Sequence, residues 1–309
     1  MTPLTAESLR GVWGSVLLPI ASDDAIDWAR LDEEIQILVS SDLDGLYAHG
    51  TAGEFHALTE AEFDRVSEML AVACTSAGKA FQIGASHPVA RVTLDRIART
   101  RELTPGAYQV VLPDWLPLTD DECEAYLRGV ADAAGAIPLV LYNPPHAKTH
   151  ASAALLGRLL DAVPSLIGIK VAGGDDAWYA SMRDVMERCA VFVPGHQLAT
   201  GTRHGARGSY SNIAAMSPAG ATRWYALMRT DASAAIDIEH RVADLFARHI
   251  GPLQRAGLSN PALDKFLAAV GGWADVGLRV RWPYDSAPEA AVTPAREDAR
   301  ALLPELFGE

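Results

Sequence analysis

Eight short segments rich in Val, Ile, Leu and aromatic residues alternate with longer stretches of helical period through residue 214. They fall at 11–20, 45–50, 81–86, 107–113, 138–144, 166–172, 189–195 and 205–214. Eight βα units without a break in composition predict an α/β chain closed into a (β/α)8 TIM barrel rather than a doubly wound sheet. The helical stretches between them run from Trp28 to Ser41, Thr59 to Ala77, Pro88 to Leu103, Asp120 to Ala134, Ser152 to Val163 and Asp176 to Arg188. In the second, Phe63, Val66, Met69, Leu70 and Ala73 share one face. Thr59 followed by Glu62 gives that helix a capping-box start. The seventh link is short, so its helix should be small.

Beyond residue 214 the pattern turns helical. The expected division is 1–220 for the barrel and 221–309 for its final helix plus a C-terminal helical extension, with Gly271-Gly272 as a turn and 279–284 as a crossing loop.

Of 309 residues, 49% are hydrophobic, enough for a large core. Asp and Glu outnumber Lys and Arg by 39 to 26, a formal charge of −13, which argues against nucleic acid and against anionic membranes as partners. The three cysteines, Cys74, Cys123 and Cys189, lack the spacing of a disulfide framework or a zinc site and fit a reducing compartment. No basic segment leads into an apolar one at the start, and no apolar run approaches the ~18 residues that span a bilayer, so a cytoplasmic location is expected.

Within the sixth segment, Leu166-Ile167-Gly168-Ile169-Lys170-Val171, one lysine stands among aliphatic residues. An ammonium in such surroundings loses hydration, which favours the neutral amine able to attack a carbonyl. Catalytic groups of TIM barrels sit at the C-terminal ends of strands. Strand two ends in the glycine turn Gly50-Thr51-Ala52-Gly53-Glu54, whose exposed N–H groups suit a carboxylate, and strand five ends in Tyr142-Asn143-Pro144-Pro145, which fixes a phenol at the rim. A lysine for an imine, a phenol to move protons and an anion-binding turn are the parts needed to activate a 2-oxo acid.

The Gly50–Glu54 turn with Leu58-Thr59-Glu60 downstream, Tyr142-Asn143-Pro144-Pro145 and Gly168-Ile169-Lys170 resemble the GTTGE, YNxP and GIK motifs of the dihydrodipicolinate synthase and N-acetylneuraminate lyase superfamily of Schiff-base aldolases and dehydratases. The resemblance spans nearly the whole chain. It implies a barrel with C-terminal helices, a homotetramer or homodimer, a small-molecule 2-oxo acid as substrate, and no metal or organic cofactor. It implies Lys170 as the Schiff-base lysine and Tyr142 as the proton-transfer residue, with Thr51 and the Ala52 N–H on the substrate carboxylate.

Several positions depart from the best-known members. The synthase's arginine after strand five is Ala147 here, and its borrowed tyrosine after strand four is replaced by Trp115. The lyase's acidic pair after strand seven is replaced by His196-Gln197, and Tyr210 stands where the GxIS stretch has an aliphatic residue. His196, Tyr210, His146 and Lys148 are therefore candidate substrate-binding residues. His49, His56 and His146 lack paired metal-ligand spacing, and no metal site is expected. The alternative to a lyase is a non-catalytic barrel that binds or senses a 2-oxo acid.

Overall fold

The structure, a computed structural model, describes residues 2–308; Glu309, the last residue of the expected helical extension, lies outside the described residues. Strands β1 (Gly11–Ser15), β2 (Gly45–Ala48), β3 (Ala80–Gly84), β4 (Ala107–Val111), β5 (Leu139–Tyr142), β6 (Leu166–Lys170), β7 (Ala190–Phe192) and β8 (Gly208–Tyr210) pair in parallel and in sequence order. Pairing of Gly11 with Gly208 joins β8 to β1 and closes the barrel. Each predicted segment thus coincides with one strand, β3 beginning one residue before its segment.

Helices α1 (Trp28–Ser40), α2 (Glu60–Ala77), α3 (Ala90–Thr100), α4 (Asp120–Ala134) and α5 (Ala153–Ala162) follow the first five strands. The predicted capping box of α2 forms: the Glu62 N–H donates to the Thr59 hydroxyl at 3.3 Å, and the Thr59 N–H donates to the Glu62 carboxylate at 2.9 Å. The stretch expected as one helix over 176–188 is instead two, α6 (Asp176–Ser181) and α7 (Arg183–Arg188). Met182 separates them at φ −89°, ψ 0°, a bend that lets both Tyr179 and Val185 reach the core. After β7 comes the short α8 (Leu198–Arg203).

The eighth segment is less strand than expected. Its last residues form α9 (Asn212–Met216), because Ser211 caps it, its hydroxyl accepting from the Ala214 N–H at 3.0 Å. Likewise β1 stops at Ser15, and Val16 and Leu17 are held by the Tyr47 carbonyl and the buried Glu34 carboxylate rather than by a longer ladder.

Helix α10 (Pro218–Thr230) runs straight through position 220 and packs on β1, so the barrel passes into its extension without a linker. Helix α11 (Ala232–Leu245) continues through one π-helical turn, Phe246–Ile250, into α12 (Gly251–Arg255). Pro252 has no N–H for the preceding turn, which suits the widened geometry there. Helix α13 (Asn260–Gly271) ends at Gly272 in the left-handed region, φ +70°, and α14 (Val292–Leu302) and α15 (Pro304–Phe307) complete the chain. The expected loop at 279–284 lies in the irregular crossing between α13 and α14.

Two layers of packing result. Between strands and helices lies the main aliphatic core; inside the barrel, Trp13, Tyr47, Val140, Phe192 and Tyr210 pack together, with Leu9 at the N-terminal end. A Cβ on Gly168 would meet the Leu9 side chain at 2.6 Å, so glycine in the Gly168-Ile169-Lys170 stretch makes room for that plug.

Candidate active site

Alternate residues of a barrel strand face its axis. Tyr142 and Lys170 are register partners on β5 and β6, which sets them side by side at the C-terminal end of the barrel. The Lys170 Nζ lies 4.1 Å from the centre of the Tyr142 ring and donates to the Tyr47 hydroxyl at 3.4 Å, with the Tyr210 ring 5.4 Å away. Three phenols therefore surround the amine. Burial raises the pKa of Tyr47 and Tyr210 far above that of a free phenol, so both stay protonated. Tyr210 also donates to Gln82 Oε1 inside the barrel at 2.7 Å.

The amine opens on a cavity of about 460 Å³. Thr51 and Ala52 line it from the turn after β2, where the glycines are sterically required: a Cβ on Gly50 would lie 2.3 Å from the Tyr47 ring, and one on Gly53 2.9 Å from the Val16 carbonyl. Tyr142 is held by the loop behind it. Asn143 Nδ2 donates to the Ala151 carbonyl at 2.9 Å and Asn143 Oδ1 accepts from the Ala151 N–H at 3.1 Å, clipping both ends of that loop together. His196 and Tyr210 line the wall, and Asn212 orients the histidine. Asn212 Oδ1 accepts from the His196 N–H at 3.1 Å, so its Nδ2 is the donor to His196 Nδ1 at 2.9 Å, which leaves the imidazole proton on Nε2. Burial lowers the pKa of His196, keeping the ring neutral.

The roof comes from outside the eight units. Phe246, Ala247 and Ile250 from the π-helical turn and Leu263, Asp264 and Leu267 from α13 close over the strand ends. Helix α13 is tied to the glycine turn by a buried ion pair between Lys265 and Glu54. Lys265 Nζ also donates to the Arg279 carbonyl at 2.6 Å, and the second Glu54 oxygen accepts from the Arg281 N–H at 2.7 Å.

The matching family model is the dihydrodipicolinate synthetase family, over residues 8–292. The chain belongs to that family. Among curated relatives, a 4-hydroxy-tetrahydrodipicolinate synthase from Ehrlichia canis is 30% identical over 168 residues, 54% of this chain and 56% of that protein. An N-acetylneuraminate lyase from Escherichia coli is 29% identical over 153 residues, 45% of this chain and 47% of that one. The aligned part thus spans about half the length of these relatives. Among solved structures, YagE, a prophage protein of the dihydrodipicolinic acid synthase family from E. coli K12 in complex with pyruvate, matches with a TM-score of 0.83 at 20% identity, over 95% of this chain and 98% of that one. That likeness establishes a shared fold.

Of the residues singled out from sequence, Lys170, Tyr142, Thr51, Ala52, His196 and Tyr210 line one cavity. His146 and Lys148 do not line it. Both are exposed; Lys148 Nζ donates to the Trp115 carbonyl at 2.9 Å and lies over the Trp115 ring, because this part of the loop after β5 packs on the segment that follows β4. His49 is buried, bonded through Nε2 to Ser67 Oγ at 2.9 Å and packed on Phe63, and burial pushes its pKa down to about 3. Among the described residues, no group of three or more His, Cys, Asp or Glu could hold a metal, and no helix is long and apolar enough to cross a membrane.

Sequence reasoning passed over Tyr47, Asn212 and Asp264. Tyr47 was legible by parity, two residues after Gly45 on an inward-facing strand edge. Asp264 carried the same signal as Lys170, a charged residue inside an apolar run, Pro261-Ala262-Leu263-Asp264-Lys265-Phe266-Leu267.

Proposed function

We propose that this chain is a lyase that forms a Schiff base between Lys170 and pyruvate or a 2-oxo-3-deoxy acid, and catalyses aldol cleavage or condensation, or dehydration. The observation that carries this reading is the Lys170 amine at the floor of a cavity, 4.1 Å from the Tyr142 ring, in a chain of this family. In the proposed cycle the amine adds to C2 of the oxo acid and water leaves to give an iminium. Loss of a proton from C3 then gives an enamine that attacks an aldehyde or expels a leaving group; cleavage runs the steps backwards. Tyr142 moves protons at this centre, while Thr51 and the Ala52 N–H hold the carboxylate and orient C2 toward the amine.

The rest of the substrate meets a neutral histidine, Asn212 and the apolar roof. Ala147 in place of the synthase arginine, Trp115 in place of its borrowed phenol and His196-Gln197 in place of the lyase's acidic pair support an activity other than either named enzyme. Trp115 and its neighbour Leu116 are 78% and 70% exposed, which supports a homo-oligomer that covers them, checked by light scattering on the purified protein.

Borohydride reduction in the presence of pyruvate and other 2-oxo acids, followed by peptide mass analysis, tests the main reading. A reduced adduct on Lys170 is expected. An unmodified lysine with every oxo acid tried would leave a binding barrel as the better description.

A further inference from the structure

Among the residues that line the cavity, Asp264 is the one carboxyl group. Nothing about packing asks for it. Its neighbours on α13, Leu263 and Leu267, present apolar side chains to the same space, and a leucine at 264 would continue that surface. The carboxyl instead lies within electrostatic reach of Lys170 and of the Tyr47 hydroxyl that accepts from Lys170. Its position is fixed from behind: the adjacent residue, Lys265, is fully buried and ion-paired with Glu54 of the turn that carries Thr51 and Ala52.

We propose that Asp264 is the acid–base partner of Lys170 during imine formation. The inference rests on the lyase reading above and adds a residue to it. Once the oxo acid is bound, the Asp264 carboxylate takes a proton from the Lys170 ammonium through water in the cavity that both line, giving a neutral amine and a carboxylic acid. The nitrogen lone pair forms the N–C2 bond as the carbonyl π electrons move to oxygen, and the proton shed by nitrogen passes to that oxygen, leaving a neutral carbinolamine. Asp264 then returns its proton to the carbinolamine hydroxyl, the C2–O bond breaks, and water leaves an iminium facing the regenerated carboxylate. No group beyond those two side chains, the oxo acid and water is consumed.

The electrostatics of the site fit this exchange. Burial pushes the Asp264 pKa up to about 7 against the opposing pull of Lys170, so the carboxyl takes and gives a proton near neutrality. The titratable groups that share the cavity with it are Lys170 from β6, Tyr47 from β2, Tyr142 from β5, Tyr210 from β8 and His196 after β7, with Lys265 next to it in sequence on α13. Burial keeps Tyr47, Tyr210 and His196 neutral around pH 7, so none of these three competes with Asp264 for the proton.

Pyruvate alone is a sufficient probe, with the initial rate of borohydride trapping on Lys170 followed by intact mass from pH 5 to 9. Asp264→Asn should reach the wild-type final extent of trapping about 10²-fold more slowly and lose the inflection near neutrality. Asp264→Glu should recover the rate to within about tenfold, with a displaced inflection. An Asp264→Asn protein that traps as fast as wild type, with the same pH profile, overturns the proposal. Should Asp264→Asn fail to fold by circular dichroism, Asp264→Glu decides alone: an unmoved inflection overturns it and a displaced one supports it. If wild type itself traps no oxo acid, the failure belongs to the lyase reading.

Discussion

Two lysines of this chain stand in apolar surroundings, and they differ in what they face. Lys265 is wholly enclosed, paired with Glu54 and bonded to the Arg279 carbonyl, and Glu54 is satisfied in turn by the Arg281 N–H. Burial lowers the pKa of Lys265, and the carboxylate against it holds the proton in place. Lys170 is only partly covered and looks across phenol rings into an open cavity. Enclosure by itself does not make an amine a nucleophile. A lysine enclosed against a carboxylate is a fastener; one whose amine faces a cavity of substrate size is available for chemistry.

Substitutions at the two sites should therefore part company. Lys170→Ala is expected to abolish borohydride trapping entirely while the protein melts cooperatively close to wild type, measured by mass spectrometry and calorimetry; retained trapping would move the nucleophile elsewhere. Lys265→Met should do the reverse in kind, costing about 3–5 kcal/mol in urea unfolding because Glu54 is left buried and unpaired. Replacing both partners, Glu54→Leu with Lys265→Met, should recover most of that loss, and a double variant as weak as the single one would show that the pair stabilises through more than mutual charge. Tyr142→Phe should slow pyruvate C3 hydrogen–deuterium exchange by about 10²-fold, followed by NMR, with the melting temperature unchanged. At the low end, Lys148→Ala should alter neither trapping nor melting, since its ammonium is engaged with Trp115 away from the cavity.

Acid should weaken the fold through a third buried group. Unfolded His49 takes up a proton near its ordinary value of 6.5, whereas the folded ring resists protonation down to about 3. The unfolded state thus binds more protons between those values, and stability falls as pH drops through that window, by up to about 1.4 kcal/mol per pH unit for this one group. His49→Gln should flatten the slope of urea-unfolding free energy against pH between 6 and 4; an unchanged slope would assign the acid sensitivity to other residues.

The barrel was legible because its code is local: each strand is a run of β-branched and aromatic residues, and each helix carries its own period and cap, as the box at Thr59 and Glu62 shows. The floor of the cavity was legible for the same reason, since Tyr142 and Lys170 each close a strand, Thr51 sits in the turn after one, and all three carry recognisable neighbours. What escaped was tertiary. Asp264 belongs to a helix that follows β8 by some fifty residues, and nothing near it in sequence announces that α13 returns over the mouth of the barrel. His146 and Lys148, though close in sequence to Tyr142, stand outside the cavity lining on the loop that Asn143 clips to Ala151.

The Glu54–Lys265 clasp has a consequence for how the protein comes into being. Every strand has left the ribosome before the segment bearing Lys265 is made, so the eight strands can pair while the Lys170 amine is still uncovered by α13. Only when the late helix docks is the cavity roofed, and the joint that holds the roof is anchored in the same glycine turn that carries Thr51 and Ala52.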